Sequence, residues 1–193
     1  MDLTEGSIQE KHGRAKKMML WFGIVSLLMT FAGWTSAYIV SSTREDWLRD
    51  FELPSSFYIS TTLIVISSFT YFFAKLAIKK DNSSLCTGLL LTTLALGLAF
   101  IFFQVQGFNQ IIAQGYYFTG ETSSVTTSYI FLIATVHIFH VVAGIISLLV
   151  VLFNQFRGKY SANNLLGIEL GATFWHFLDL LWVYLILFFA FYQ

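Results

Sequence analysis

The chain of 193 residues has one cysteine, Cys86, one proline, Pro54, and a charged fraction of only 11%. A lone cysteine excludes an intrachain disulfide and a cysteine-based metal cluster, and a free thiol in an apolar stretch is expected to be inert packing. The lone proline sits at the entrance of an apolar run and not inside one. Broken helices, which build midplane ion sites in transporters, are therefore not indicated. An ordinary globular chain carries roughly 25% charged residues. Here the few charges also cancel to a net charge of zero, which leaves no electrostatic footprint for nucleic acid. A Gly-rich phosphate loop, a nucleophile elbow, a Cys-x-x-Cys-His heme attachment motif, an internal repeat and a low-complexity run are all missing from the sequence.

What is present is apolar: 56% hydrophobic and 18% aromatic residues. A hydrocarbon core of ~30 Å requires about 20 apolar residues in helical form. The segments Met18–Val40, Ser56–Ile78, Leu85–Gln104, Thr127–Phe153 and Glu169–Tyr192 meet that length. Their runs are continuous, whereas barrel strands alternate over about 10 residues. The expected fold is all-α, a bundle of five transmembrane helices in one domain over residues 18–193, preceded by a polar tail over residues 1–17. That tail lacks the features of a cleavable signal. In the second span, Ser60, Thr61, Thr62, Ser67, Ser68 and Thr70 suit close helix packing in lipid, where apolar burial no longer drives association. Trp21 and Trp47 lie at or near span ends, where amphipathic rings prefer the headgroup region. The other aromatic residues are expected to face lipid or to pack.

Nine of the eleven basic residues fall on one side of this topology: Lys11, Arg14, Lys16, Lys17, Lys75, Lys79, Lys80, Arg157 and Lys159. Arg44 and Arg49 lie on the other side, outnumbered by Glu45, Asp46, Asp50 and Glu52, with Glu121 in the next outer loop. The positive-inside rule then places the N-terminus in the cytoplasm and the C-terminus outside.

Ionisable residues inside spans are costly and are functional candidates by default. They are His137 and His140 in the fourth span, and Glu169, His176 and Asp179 in the fifth. Residues at i and i+3 share a helix face, so the pairs His137/His140 and His176/Asp179 are able to face each other in an interhelical polar network. Asp179 falls near the midplane, where a carboxylate is expected to be protonated or paired with a histidine. Three histidines would also suit a heme or metal, although a di-iron bundle wants four carboxylates and Phe139, Phe174, Trp175, Phe177 and Trp182 crowd the candidates. A structural network, a cofactor-bearing redox protein and a small transporter all stay open on residues alone.

One run is more specific. Phe174-Trp175-His176-Phe177-Leu178-Asp179-Leu180-Leu181-Trp182 closely resembles the tyrosine-tryptophan-histidine-phenylalanine-valine-aspartate-valine-valine-tryptophan signature in the last helix of subunit III of heme–copper terminal oxidases. Glu169 falls where that family places a glutamate. His137-Ile138-Phe139-His140-Val141-Val142-Ala143-Gly144 is similar to its His-x-x-His-Val-x-x-Gly segment, and Phe31-Ala32-Gly33 with Tyr38 to its Phe-Ala-Gly and tyrosine. Gln104, Gly107-Phe108 and Gln114-Gly115 resemble a further helix end in bacterial members. The matches run in order from Met18 to the C-terminus. The seven-helix form of the family begins with two helices that this chain lacks, so the resemblance is to the short bacterial form. Leu27 stands where the family usually has a buried glutamate, so no role of that carboxylate carries over.

The resemblance implies a non-catalytic inner-membrane subunit of a proton-pumping oxidase that reduces oxygen to water. Hemes and copper would lie in partner subunits I and II, with this chain packed chiefly on subunit I, holding phospholipid and supporting proton uptake. No metal or catalytic centre is expected in this chain. His137, His140, Glu169, His176 and Asp179 would form a structural or lipid-associated polar network, and Trp175, Phe177, Trp182, Gly144 and Gly33 would be packing positions. A small subunit of a quinol oxidase or nitric oxide reductase is the neighbouring alternative.

Overall fold

Long apolar runs with few breakers leave the backbone one way to satisfy itself in lipid, the α-helix. A computed structural model describes residues 8–48, 51–120, 123–161 and 164–192. It contains α1 (Ile8–Ser41), α2 (Ser55–Lys79), α3 (Ser83–Ala113), α4 (Val125–Phe156) and α5 (Leu166–Phe191). All five are long and apolar enough to cross a membrane, and no strand occurs among the described residues. Residues 1–7 of the expected tail, and Arg49, Asp50 and Glu121 of the charge count, lie outside the described residues.

Helix ends follow local chemistry. Pro54, with φ −54°, precedes the first turn of α2, where its fixed dihedral suits helix entry. The Asn82 side chain accepts from the Leu85 amide and Ser124 from that of Thr127, capping α3 and α4. The short α2–α3 turn passes through Asp81 at φ 54°, a left-handed position that aspartate tolerates.

Two helices outrun the expected spans. α1 begins ten residues before Met18, within the stretch read as a tail, and α3 continues nine residues past Gln104 to Ala113. Hydropathy reports bilayer thickness and not helix length. Lys11, Arg14, Lys16 and Lys17 have good helix propensity, and Glu10 stands in the first turn of α1, where the helix dipole favours an acid. The 34 residues of α1 extend about 51 Å, well beyond the hydrocarbon layer.

Helices α2, α3, α4 and α5 form a closed ring of neighbours, α2 and α3 being the most extensively paired, and the backbone of α1 comes close to α4 and α5 and stays apart from those of α2 and α3. Half of the most apolar window of α5 is buried, against 17% for α1, so α5 is the spine and α1 an outrigger. The core is aromatic. Trp182 is fully buried, with the rings of Phe57, Phe100 and His137 at 5.8, 5.5 and 5.1 Å from its own. Trp47, expected among headgroups, is instead buried, its ring edge-on to Tyr38 at 4.7 Å. The Leu48 amide donates to Thr126 Oγ1, folding the α1–α2 loop back over the bundle end. Trp21 stays exposed.

Candidate functional site

The polar chemistry inside this bundle is concentrated where α2 meets α5. Trp175 Nε1 donates to Ser67 Oγ, and Trp182 Nε1 to Thr61 Oγ1, both at 3.0 Å. The order reverses along the two helices, so they run antiparallel. Each hydroxyl also donates to a carbonyl of its own helix, Ser67 to Ile64 and Thr61 to Phe57. Nothing polar is left unmatched in these four residues, and the small side chains let the helices approach closely. The hydroxyl run extends to α3, where Thr70 bonds Thr93 at 2.8 Å and Gln104 Nε2 donates to Ser60 Oγ at 2.9 Å. Thr62 faces outward and bonds only its own helix. Gln104 and the tryptophan–hydroxyl pairs were not singled out as a polar seam in the sequence. A glutamine inside an apolar run was the available signal.

The five ionisable candidates do not form one network. Glu169 sits at one end of the bundle, where Lys17 Nζ bonds its Oε2 at 2.9 Å and Lys75 Nζ lies 3.9 Å from Oε1. His140 Nδ1 is 2.7 Å from the Val136 carbonyl of its own helix. His137 is fully buried, stacked on Trp182 with Phe31 and Phe100 edge-on, and neither ring nitrogen has a hydrogen-bond partner among the described residues. His176 turns to α2, its Nδ1 at 2.6 Å from Ser68 Oγ. Asp179 is 4% exposed and both carboxylate oxygens lack a partner. Shared faces within α4 and within α5 were correctly spaced, but α4 presents His137 to an aromatic box while α5 presents His176 to α2. Among the described residues, no group of three or more His, Cys, Asp or Glu side chains is arranged to hold a metal ion.

The ion pair at Glu169 is partly solvated, with Lys17 half exposed, and such pairs are worth about 0–1 kcal/mol. Glu169→Gln is expected to lower the thermal midpoint of the detergent-solubilised protein only slightly, a shift that should shrink as salt is raised.

Packing around Trp175 is close on two sides. A Cβ at Gly97 on α3 would stand 2.7 Å from Trp175 Cη2, and one at Gly144 on α4 would stand 2.8 Å from Leu178 Cδ1 and 3.4 Å from Trp175 Cε3. Trp175 therefore keys α5 to three other helices. Gly33 differs, since a Cβ there would meet nothing within 4 Å. The packing expected at Gly33 is not made within this chain. Phe177 is half-buried against the core and lines a groove with Leu28, Phe31 and Leu180. At the opposite end of the bundle, Arg44 bonds Asp46 through Nε and Nη2, which holds that carboxyl below the usual carboxylate range.

The family model described as cytochrome c oxidase subunit III matches residues 3–193. The chain belongs to the cytochrome c oxidase subunit III family. It is 32% identical over 133 residues to cytochrome bo(3) ubiquinol oxidase subunit 3 of Pseudomonas aeruginosa, covering 69% of this chain and 62% of that protein's length. It is 27% identical over 176 residues to cytochrome c oxidase subunit 3 of Alkalihalophilus pseudofirmus, covering 90% and 84% of the two chains. The identity to cytochrome c oxidase subunit 3 of Spodoptera frugiperda is 29% over 138 residues, covering 70% and 86%. The family is that of a membrane subunit of heme–copper oxidases. Trp175, His176 and Trp182 bond α5 to α2, and Asp179 lines the groove between the two helices with His176.

Proposed function

We propose that this chain is a non-catalytic, multi-pass subunit of a proton-pumping respiratory terminal oxidase in the bacterial inner membrane, packed chiefly on the catalytic subunit I. The match over residues 3–193 carries this reading. The five-helix bundle supplies a largely apolar body whose exposed faces suit phospholipid and neighbouring helices. Residues 18–193 are read as its single membrane domain. Lys17 and Lys75 cluster around Glu169 at one end, and the basic bias of that side supports a cytoplasmic N-terminus. His137, His140, Glu169, His176 and Asp179 are given structural or lipid-associated roles, with hemes and copper in partner subunits I and II.

A cytochrome c oxidase is the first reading. A quinol oxidase is the second, favoured by the Pseudomonas relative. Purification through a tag on this chain in mild detergent, with peptide identification of the partners, tests the proposal. A heme–copper catalytic subunit is the expected companion, and its absence would overturn the reading. Oxygen consumption by that complex with reduced cytochrome c or with quinol separates the two donors.

A further inference from the structure

Between α2 and α5 the membrane-facing surface is cut by a groove of about 620 Å³, walled by Val65, Phe69, Phe72 and Phe73 and floored by His176 and Asp179. Across the exposed Leu180, a second groove of about 390 Å³ runs between α5 and α1, lined by Leu28 and Phe31. The two grooves share Leu180, so together they make one channel along α5 with that exposed side chain as a ridge down its centre.

We propose that this channel is the seat of a transmembrane helix of a partner subunit, which presents a carboxamide or hydroxyl side chain to the His176–Asp179 face. The inference rests on the reading of this chain as an oxidase subunit. Three observations carry it. First, Ser68 holds His176 Nδ1, while the half-buried ring lines the groove and its Nε2 has no hydrogen-bond partner among the described residues. Second, Asp179 lines the same groove one turn further on with its carboxyl oxygens covered and the Ser68 hydroxyl beside them, so His176 Nε2 is the polar atom that this face offers. In lipid a polar atom without a partner is costly, so an incoming polar group that meets His176 Nε2 is favoured. Third, Asp179 lies about 20 Å along the 26-residue α5, close to its middle. A phospholipid headgroup stays at the interface and its acyl chains carry no donor. A membrane-spanning helix is what places a polar side chain at that depth.

The side chain must serve either tautomer of His176, since Ser68 can donate to Nδ1 or accept from it. Asn, Gln, Ser and Thr both donate and accept, and a neutral group avoids bringing a second charge into hydrocarbon. The exposed rings of Phe69 and Phe72 then flank the incoming helix, with Leu180 fitting between its side chains.

The test uses the intact complex. Benzoylphenylalanine is placed at Phe72 and irradiated in membranes, and the adduct is identified after purification. The expected product joins Phe72 to a membrane-spanning peptide of a partner subunit that carries Asn, Gln, Ser or Thr near mid-span. Adducts to lipid or another small lipophile only, or to no partner span, overturn the inference. His176→Leu should lower retention of the chain in the complex about three- to tenfold, in keeping with one interhelical hydrogen bond, and His176→Gln should restore most of it. Equal loss in both variants would also overturn the inference. If the unaltered chain brings down no heme–copper subunit, the functional reading falls. If it does and Phe72 captures only lipid, the docking inference falls alone.

Discussion

Trp175→Ala is expected to cost about 3 kcal/mol of stability, the lower end of the range for removing a large aromatic from a packed core. Trp175 is 1% exposed, donates to Ser67 Oγ at 3.0 Å and lies against Gly97 and Gly144. Lipid is as apolar as the bundle interior, so the solvent-transfer part of the usual loss is small. What remains is the cavity left among four helices and the dispersion contacts forfeited around it. Ser67 keeps its bond to the Ile64 carbonyl, so no hydroxyl is stranded. The lost tryptophan bond itself accounts for only about 0.6 kcal/mol by the behaviour of interhelical hydrogen bonds in membranes. Trp175→Phe should therefore keep most of the stability. Thermal unfolding in mild detergent, followed by near-UV circular dichroism, separates the two variants. Equal destabilisation by Ala and Phe would show that the hydrogen bond, and not the ring volume, holds the helices.

Gly144→Val is the second large effect, about 1–3 kcal/mol from overpacking. The added Cβ alone meets Leu178 Cδ1 at 2.8 Å. Leu178 can shift a little, but Trp175 closes the other side at 3.4 Å, so the branched methyls force α4 away from α5. Gly33→Val, on the open side of α1, is expected to change the isolated chain's thermal midpoint little, within about 0.5 kcal/mol. The contrast is read in the same unfolding experiment. A Gly33 variant as unstable as the Gly144 variant would mean that α1 is packed against the bundle on a face that the structure shows open.

The bundle was legible to the extent that bilayer physics acts on sequence. The apolar runs located α2, α4 and α5 to within a few residues, since each is bounded by a cap, a turn or a basic residue close to the hydrocarbon edge. For α1 and α3, hydropathy ended before the helix did, because Lys11, Arg14, Lys16 and Lys17 carry α1 on without an apolar signal and Gln106, Asn109 and Gln110 dilute the apolar residues in the last turns of α3. The serine and threonine run of α2 announced a close-packed face, and Ser60, Thr61, Ser67 and Ser68 make contacts on it. The two i, i+3 pairs were a different case. Periodicity fixes which residues share a face of one helix, but the rotation of that helix is set by its neighbours. That rotation sends His137 into the rings of Phe31, Phe100 and Trp182, and His176 toward Ser68. Trp47 shows the same limit, because a loop that folds back is invisible to a span count.

The reading of this chain as a cofactor-free subunit of a heme–copper oxidase is open to one decisive measurement. The direct measurement is a reduced-minus-oxidised visible spectrum, with metal analysis, of the complex purified through a tag on this chain and again of the chain after its partners are stripped away. Heme bands and copper are expected in the complex, and a colourless, metal-free isolated chain. Heme that stays with the isolated polypeptide, or a complex without heme and copper, would contradict this reading.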